Sequence, residues 1–157
     1  MIKNFNDFVE SINENYHLHP NSENTLKNIL DKKERKCIWI VTHDDYETYD
    51  AVEFCIRYVY NNDEYFNLAG AITLGEDLSG SELDNYASHL MSEDIFGIEL
   101  RDSMGDKNYA QNVKRIIDIH QNHRHGLFLI FSSKKNEIFK QINNDSEYSD
   151  KIEFLSV

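Results

Sequence analysis

Acidic and hydroxyl side chains recur at one kind of position in this sequence of 157 residues, directly after a short apolar run. His43, Asp44 and Asp45 follow CIWIVT, Glu76 and Asp77 follow AGAITL, and Glu99, Arg101 and Asp102 close IFGIEL and its exit. Ser132 and Ser133 end the run that begins at Leu127. Carboxylates drawn from several chain segments could together hold Mg²⁺, a hard cation that takes oxygen ligands. The same residue types also cap helices by accepting backbone N–H groups, and that simpler role is the expectation for any one of them. No metal ligand set is assigned.

Other chemistry is thinner. His120, His123 and His125 lie close together, but no carboxylate or cysteine completes a metal set beside them and Arg124 interrupts it, so a solvated helix end is expected. Lys114, Arg115 and Arg124 are too few to make a nucleic-acid patch. No G-x-S-x-G, no H-E-x-x-H and no glycine-rich dinucleotide turn occurs.

The elements that must position these residues follow from apolar periodicity. Ile2, Phe5, Phe8, Val9 and Ile12 predict a short amphipathic helix, with Phe5 and Phe8 packed on the domain. A second helix, capped by Asn21 or Ser22, bears Leu26, Ile29 and Leu30. CIWIVT, from Cys37 to Thr42, is continuously apolar, as a strand covered on both faces must be, and Trp39 in it reads as core. Asp44 and Glu47 have the spacing of a capping box, and the helix beyond presents Tyr49, Val52, Ile56 and Val59 on one face. Ala69–Leu74 predicts the second strand. Ser79 and Glu82 predict a cap for a helix with Leu83, Tyr86, Ala87, Leu90 and Met91. Ile95–Leu100 predicts a third strand, Ala110, Val113, Ile116 and Ile117 a long helix, and Leu127–Phe131 a fourth strand. A short helix with Ile138 and Ile142 then leads to a closing strand in KIEFLSV.

Strands that alternate with crossover helices imply a three-layer α/β/α fold with a mostly parallel sheet of about five strands, preceded by two N-terminal helices. The expected division is a helical extension over 1–36 and an α/β domain over 37–157. In such sheets ligands bind at the carboxyl ends of the strands, where the residues above collect.

Composition narrows the partners. Apolar residues make up 40% and aromatics 12%, with one proline, which suits one packed domain. A net charge of −12 repels nucleic acid and anionic membrane surfaces and favours a protein partner with a basic surface. Cys37 and Cys55 each sit in an apolar run and read as buried thiols of a reducing compartment. With no apolar leader and no run long enough to span a bilayer, a cytoplasmic location without membrane insertion is expected.

Residues 24–140 resemble the C-terminal RecA-like domain of the secretion and pilus ATPases, the type II secretion/type IV pilus group. The resemblance rests on LKNILDKKERKCIWIVTH, where Val41-Thr42 stands for the strand end before the P-loop. It continues in Thr73-Leu74-Gly75-Glu76-Asp77, in the Walker B-like Glu99, Arg101 and Asp102, and in the run His125–Ser133. The family's G-x-x-x-x-G-K-S/T falls on His43, Thr48, Tyr49 and Asp50, so each glycine, the lysine and the hydroxyl residue are replaced. HDDYETYD brings four carboxylates and no lysine or arginine, a poor cradle for phosphate. The family's catalytic histidine falls near Ser133, and residues 1–36 have no counterpart of the domain that precedes the motor.

A second resemblance is to receiver domains, with Asp44-Asp45 as the acidic pair, Glu99 at the phosphoacceptor position and Ser132 at the switch position; the closing Lys-Pro is absent from KIEFLSV. The reading that follows is a non-catalytic ATPase-like protein-binding component, with no cofactor and no nucleotide expected. A degenerate receiver-like signalling domain and an acidic inhibitor of a basic site are the alternatives.

Overall fold

The computed structural model describes residues 18–62, 67–69, 85, 88, 94–102 and 109–157. In chain order these form α1 (Pro20–Lys32), β1 (Cys37–Thr42), α2 (Asp45–Asn61), β2 (Asn67–Ala69), β3 (Ile95–Glu99), α3 (Tyr109–His123), β4 (Leu127–Ser133), α4 (Glu137–Asn143), α5 (Ser146–Ser149) and β5 (Ile152–Ser156). The five strands make one sheet in the order β2-β3-β4-β1-β5, and every pairing is parallel. The fold is α/β, as its alternating elements imply. No described helix is long and apolar enough to cross a membrane.

The continuous apolar strands have a direct cause. Successive side chains of a strand point to opposite faces. Trp39, Val41, Phe96, Ile98, Phe128 and Ile130 pack on one face with Val113, Ile116 and Ile117 of α3 and Ile138 and Ile142 of α4. Ile38, Ile40, Ile95, Leu127, Leu129 and Phe131 pack on the other with Leu26 and Leu30 of α1 and Ala51, Val52, Cys55 and Val59 of α2. All six residues of β1 and all seven of β4 are buried, so polar alternation has no place in either strand. Burial pushes both cysteine thiols up in pKa and keeps them protonated.

Several local expectations are corrected. His19, not Asn21 or Ser22, caps α1: its Nδ1 accepts the Asn21 N–H at 3.1 Å, because Pro20 takes the first helical position, where a missing N–H costs nothing. The buried face of α2 is Thr48, Ala51, Val52, Cys55 and Val59, rotated from the expected one, and Tyr49 is 53% exposed. Small residues at 51 and 55 bring the helix close to the sheet, and a tyrosine there would hold it off. The second strand is described over Asn67–Ala69, ahead of the expected start, and pairs in parallel with β3. β4 runs on through Ser132 and Ser133, and α5 is an added turn capped by Asp145.

The N-terminal helix with Phe5 and Phe8, residues 70–74, the Ser79–Glu82 cap, and Leu83, Tyr86, Ala87, Leu90 and Met91 lie outside the described residues. Asn85 and Ser88, within the helix predicted there, are helical and exposed.

Candidate functional site

Neighbouring strands whose outgoing connections run over opposite faces create a crevice at their carboxyl ends. Here the pair is β1 and β4. The helix after β1 is α2, on the Leu26/Ile38 face, and the helix after β4 is α4, on the Trp39/Phe128 face. Any ligand site on this sheet is therefore expected beside Thr42–Asp45 and Ser132–Asn136.

That position is filled by the chain itself. Only His43 and Asp44 separate β1 from α2, so Thr48, Tyr49 and Asp50 belong to the helix and not to a loop. Asp44 caps α2, its Oδ1 accepting the Glu47 N–H at 2.9 Å, while the Asp44 carbonyl accepts the Thr48 N–H and hydroxyl, each at 3.0 Å. Glu47 Oε2 accepts the His43 N–H at 3.1 Å, one residue earlier than a standard capping box reaches. Thr48 is fully buried, its hydroxyl against that of Thr42. Across the crevice the Lys134 N–H donates to the Thr42 carbonyl at 2.8 Å. His43 is exposed, Tyr49 points to solvent and Asp50 is partly exposed on α2.

The exit of β3 is bolted to this corner from three elements. Asp45, in the first turn of α2, accepts the Asp102 N–H with both carboxylate oxygens, at 3.1 and 3.0 Å. Ser133, at the end of β4, donates its hydroxyl to Asp102 Oδ1 at 2.6 Å and accepts the Lys135 N–H at 3.1 Å. Asn136 donates its side-chain amide to the Arg101 carbonyl at 2.9 Å, while its Oδ1 caps α4 through the Ile138 and Phe139 N–H groups. Asn136 is almost completely buried. Its position just before the Ile138/Ile142 stripe signals a cap, but its second role needs the tertiary fold.

Electrostatically the corner is acidic and under tension. Burial raises the Glu99 carboxyl above its ordinary pKa; Arg101 opposes this and Asp45 adds to it. The Glu99 side chain is 13% exposed and its Oε1 lies 3.5 Å from Arg101 Nε, an ion pair without a hydrogen bond. Asp45 is raised as well, by burial first, while the Asp102 N–H works the other way.

The structure thus gathers Asp45, Glu99, Arg101, Asp102 and Ser133. Asp44 and Glu47 are spent on the α2 end, and Glu76 and Asp77 lie outside the described residues. Among the described residues no group of three His, Cys, Asp or Glu side chains is placed to hold a metal ion. Among the described residues the Ser133 hydroxyl is engaged by the Asp102 carboxylate.

Two further polar groups have structural posts. Ser132 Oγ accepts the indole N–H of Trp39 at 2.7 Å in the core. His120, expected on a solvated helix end, is buried: its Nε2 bonds the Gly126 carbonyl at 2.7 Å and its ring packs on Phe128. A carbonyl only accepts, so Nε2 is the donor, and burial lowers the ring's pKa. The apolar Gly126-Leu127 entry to β4 draws it inward, while His123 and His125 stay exposed. A groove away from the carboxyl edge, between α1 and β5, is lined by Thr25, Asn28, Ile29, Lys32, Lys36, Glu153 and Leu155. Lys36 is committed there to Glu34 at 2.7 Å and to Glu153 at 2.5 Å.

Comparison with known proteins finds no family model and no curated protein that matches this chain.

Proposed function

We propose that this chain is a non-catalytic RecA-like, ATPase-type domain that works by binding a protein partner, in a setting of the secretion or pilus-assembly kind. One observation carries the reading. The α2 N-terminus, where a phosphate would have to sit, is occupied by the chain's own carboxylates: Asp44 accepts the Glu47 N–H, Glu47 accepts the N–H of His43 just before the cap, and Asp45 accepts the Asp102 N–H from the exit of β3. A helix N-terminus binds anions through free N–H groups and the positive end of its dipole. Asp44 already takes one of those N–H groups here, and with Asp45 and Glu47 it puts three carboxylates at the positive end of the dipole, where an incoming triphosphate would meet like charge.

The sheet order favours this resemblance over the receiver-like one. In the flavodoxin-like order that receivers share, the first strand lies between the second and third. Here β1 lies between β4 and β5. The net charge of −12 supports a partner with a basic surface, and an acidic inhibitor of a basic site would use the same charge.

Isothermal calorimetry with Mg²⁺ and ATP tests the proposal. No heat of binding is expected up to millimolar ATP, and micromolar affinity would end the reading.

A further inference from the structure

On α2 the residues at positions 46, 49, 50, 53, 57 and 60 share one side of the helix, opposite the buried Thr48, Ala51, Val52, Cys55 and Val59. That outer side carries Tyr46, Tyr49 and Tyr60, which are 77%, 53% and 77% exposed. Single exposed apolar residues are ordinary, but here Tyr46 and Tyr49 lie one turn apart and Tyr60 stands farther along the same side, about 21 Å from Tyr46. Tyrosine has few rotatable bonds, a flat apolar ring and a polar tip, and it is among the residues that dominate binding energy at protein interfaces.

On that side Asp50 and Glu53 stand against Arg57, and three more carboxylates gather at the start of the helix. From the Asp44 cap to Asn61 the helix holds Asp44, Asp45, Glu47, Asp50 and Glu53 against Arg57 alone. Arg57 is held to Glu53 at 3.0 Å, one turn away on the same side. Electron-rich ring faces interleaved with carboxylates match one side chain best. A guanidinium can lie flat on a tyrosine ring while its edge bonds a carboxylate, which a lysine ammonium does less well.

We propose that the outer face of α2, formed by Tyr46, Tyr49 and Tyr60 with Asp50 and Glu53, docks an arginine-bearing basic segment of a partner protein. This rests on the protein-binding reading and gives it a surface and a chemistry. The capped corner fits that use, since Asp44 and Glu47 close the connection from β1 to α2 and Asp45 ties the first turn of α2 to the exit of β3.

The test is an NMR titration of the ¹⁵N-labelled full chain with a synthetic peptide of alternating arginine and glycine, at low and at physiological salt. Amide shift changes are expected to concentrate in the 45–60 segment. The double variant Tyr46→Ala/Tyr49→Ala should bind about tenfold more weakly with the amide spectrum otherwise intact, since both side chains are exposed. A lysine-glycine peptide of equal charge should bind about fivefold more weakly. Neutralising remote exposed acids in Glu137→Gln/Asp150→Asn should leave the affinity unchanged. Shifts scattered over every acidic surface, equal binding by the tyrosine variant or by the lysine peptide, or no shift at about 1 mM peptide would each overturn the docking face. The protein-binding reading fails separately, by calorimetric binding of ATP.

Discussion

Replacing Glu99 by glutamine should make the protein more stable at neutral pH. The side chain is 13% exposed, Oε1 accepts no hydrogen bond, and Arg101 Nε stands at 3.5 Å on a side chain that is 56% exposed. Glutamine keeps a polar atom at that place but is uncharged, and a buried charge without a hydrogen bond costs more than a neutral group does, on the order of 1–2 kcal/mol more. A solvent-screened ion pair returns about 0–1 kcal/mol. The difference leaves a net gain of about 1 kcal/mol for the neutral isostere, or about 2–4 °C in Tm for a domain of this size. The pH dependence identifies the cause. Because the folded pKa of Glu99 is raised, chiefly by burial, the native state binds this proton more tightly than the unfolded chain does. Its favourable contribution is complete below the unfolded pKa and is lost as pH rises through the folded one. Urea denaturation of both proteins from acid to neutral pH should therefore show curves that converge at the acid end and separate above the raised pKa. A constant offset would mean that shape, not charge, separates the two proteins. A variant that is less stable at neutral pH would mean that Arg101 outweighs burial, and the reasoning would be wrong.

Two more substitutions probe the same corner. Ser132→Ala strands the indole N–H of the sole tryptophan in a fully buried site. It should cost about 1–3 kcal/mol in denaturant unfolding, with a shift in the intrinsic fluorescence of Trp39. Asn136→Ala removes the α4 cap and the bond to the Arg101 carbonyl together, and about 2 kcal/mol should be lost. Asn136→Asp, which keeps the cap and gives up the donor, should recover part of that loss.

What could be read along the chain divides by range. β1 and β4 were legible because burial on both faces leaves an unbroken apolar run, and the Asp44/Glu47 end of α2 was legible because a capping box lies within four residues. The orientation of α2 was not. Counting tyrosine as apolar placed Tyr49 inside, whereas the contact with the sheet selected the small Ala51 and Cys55. His120 was misplaced because its neighbours His123, Arg124 and His125 are polar, while the burial that captures it comes from Phe128 and the Gly126 carbonyl on the following strand. The bond from Asp102 to Asp45 spans 57 positions and exists only because the strand order brings the exit of β3 over the start of α2. No local pattern encodes that order, since each crossover could land on either side of its strand.

The corner also bears on what a partner could recognise. At an open crevice between β1 and β4 the first turn of the following helix must keep its N–H groups free, and the residues around it must tolerate an arriving ligand. Here Asp45 holds the exit of β3, Ser133 and Asn136 hold it from the far side, and the Thr42 carbonyl is taken by Lys134. Opening this crevice would break several hydrogen bonds and expose carboxylates to one another. Recognition through a rigid outer surface is therefore energetically easier than insertion of a ligand at the edge. The outer side of α2 meets that condition, because its inner side is fully packed and its first turn is tied down at both flanks.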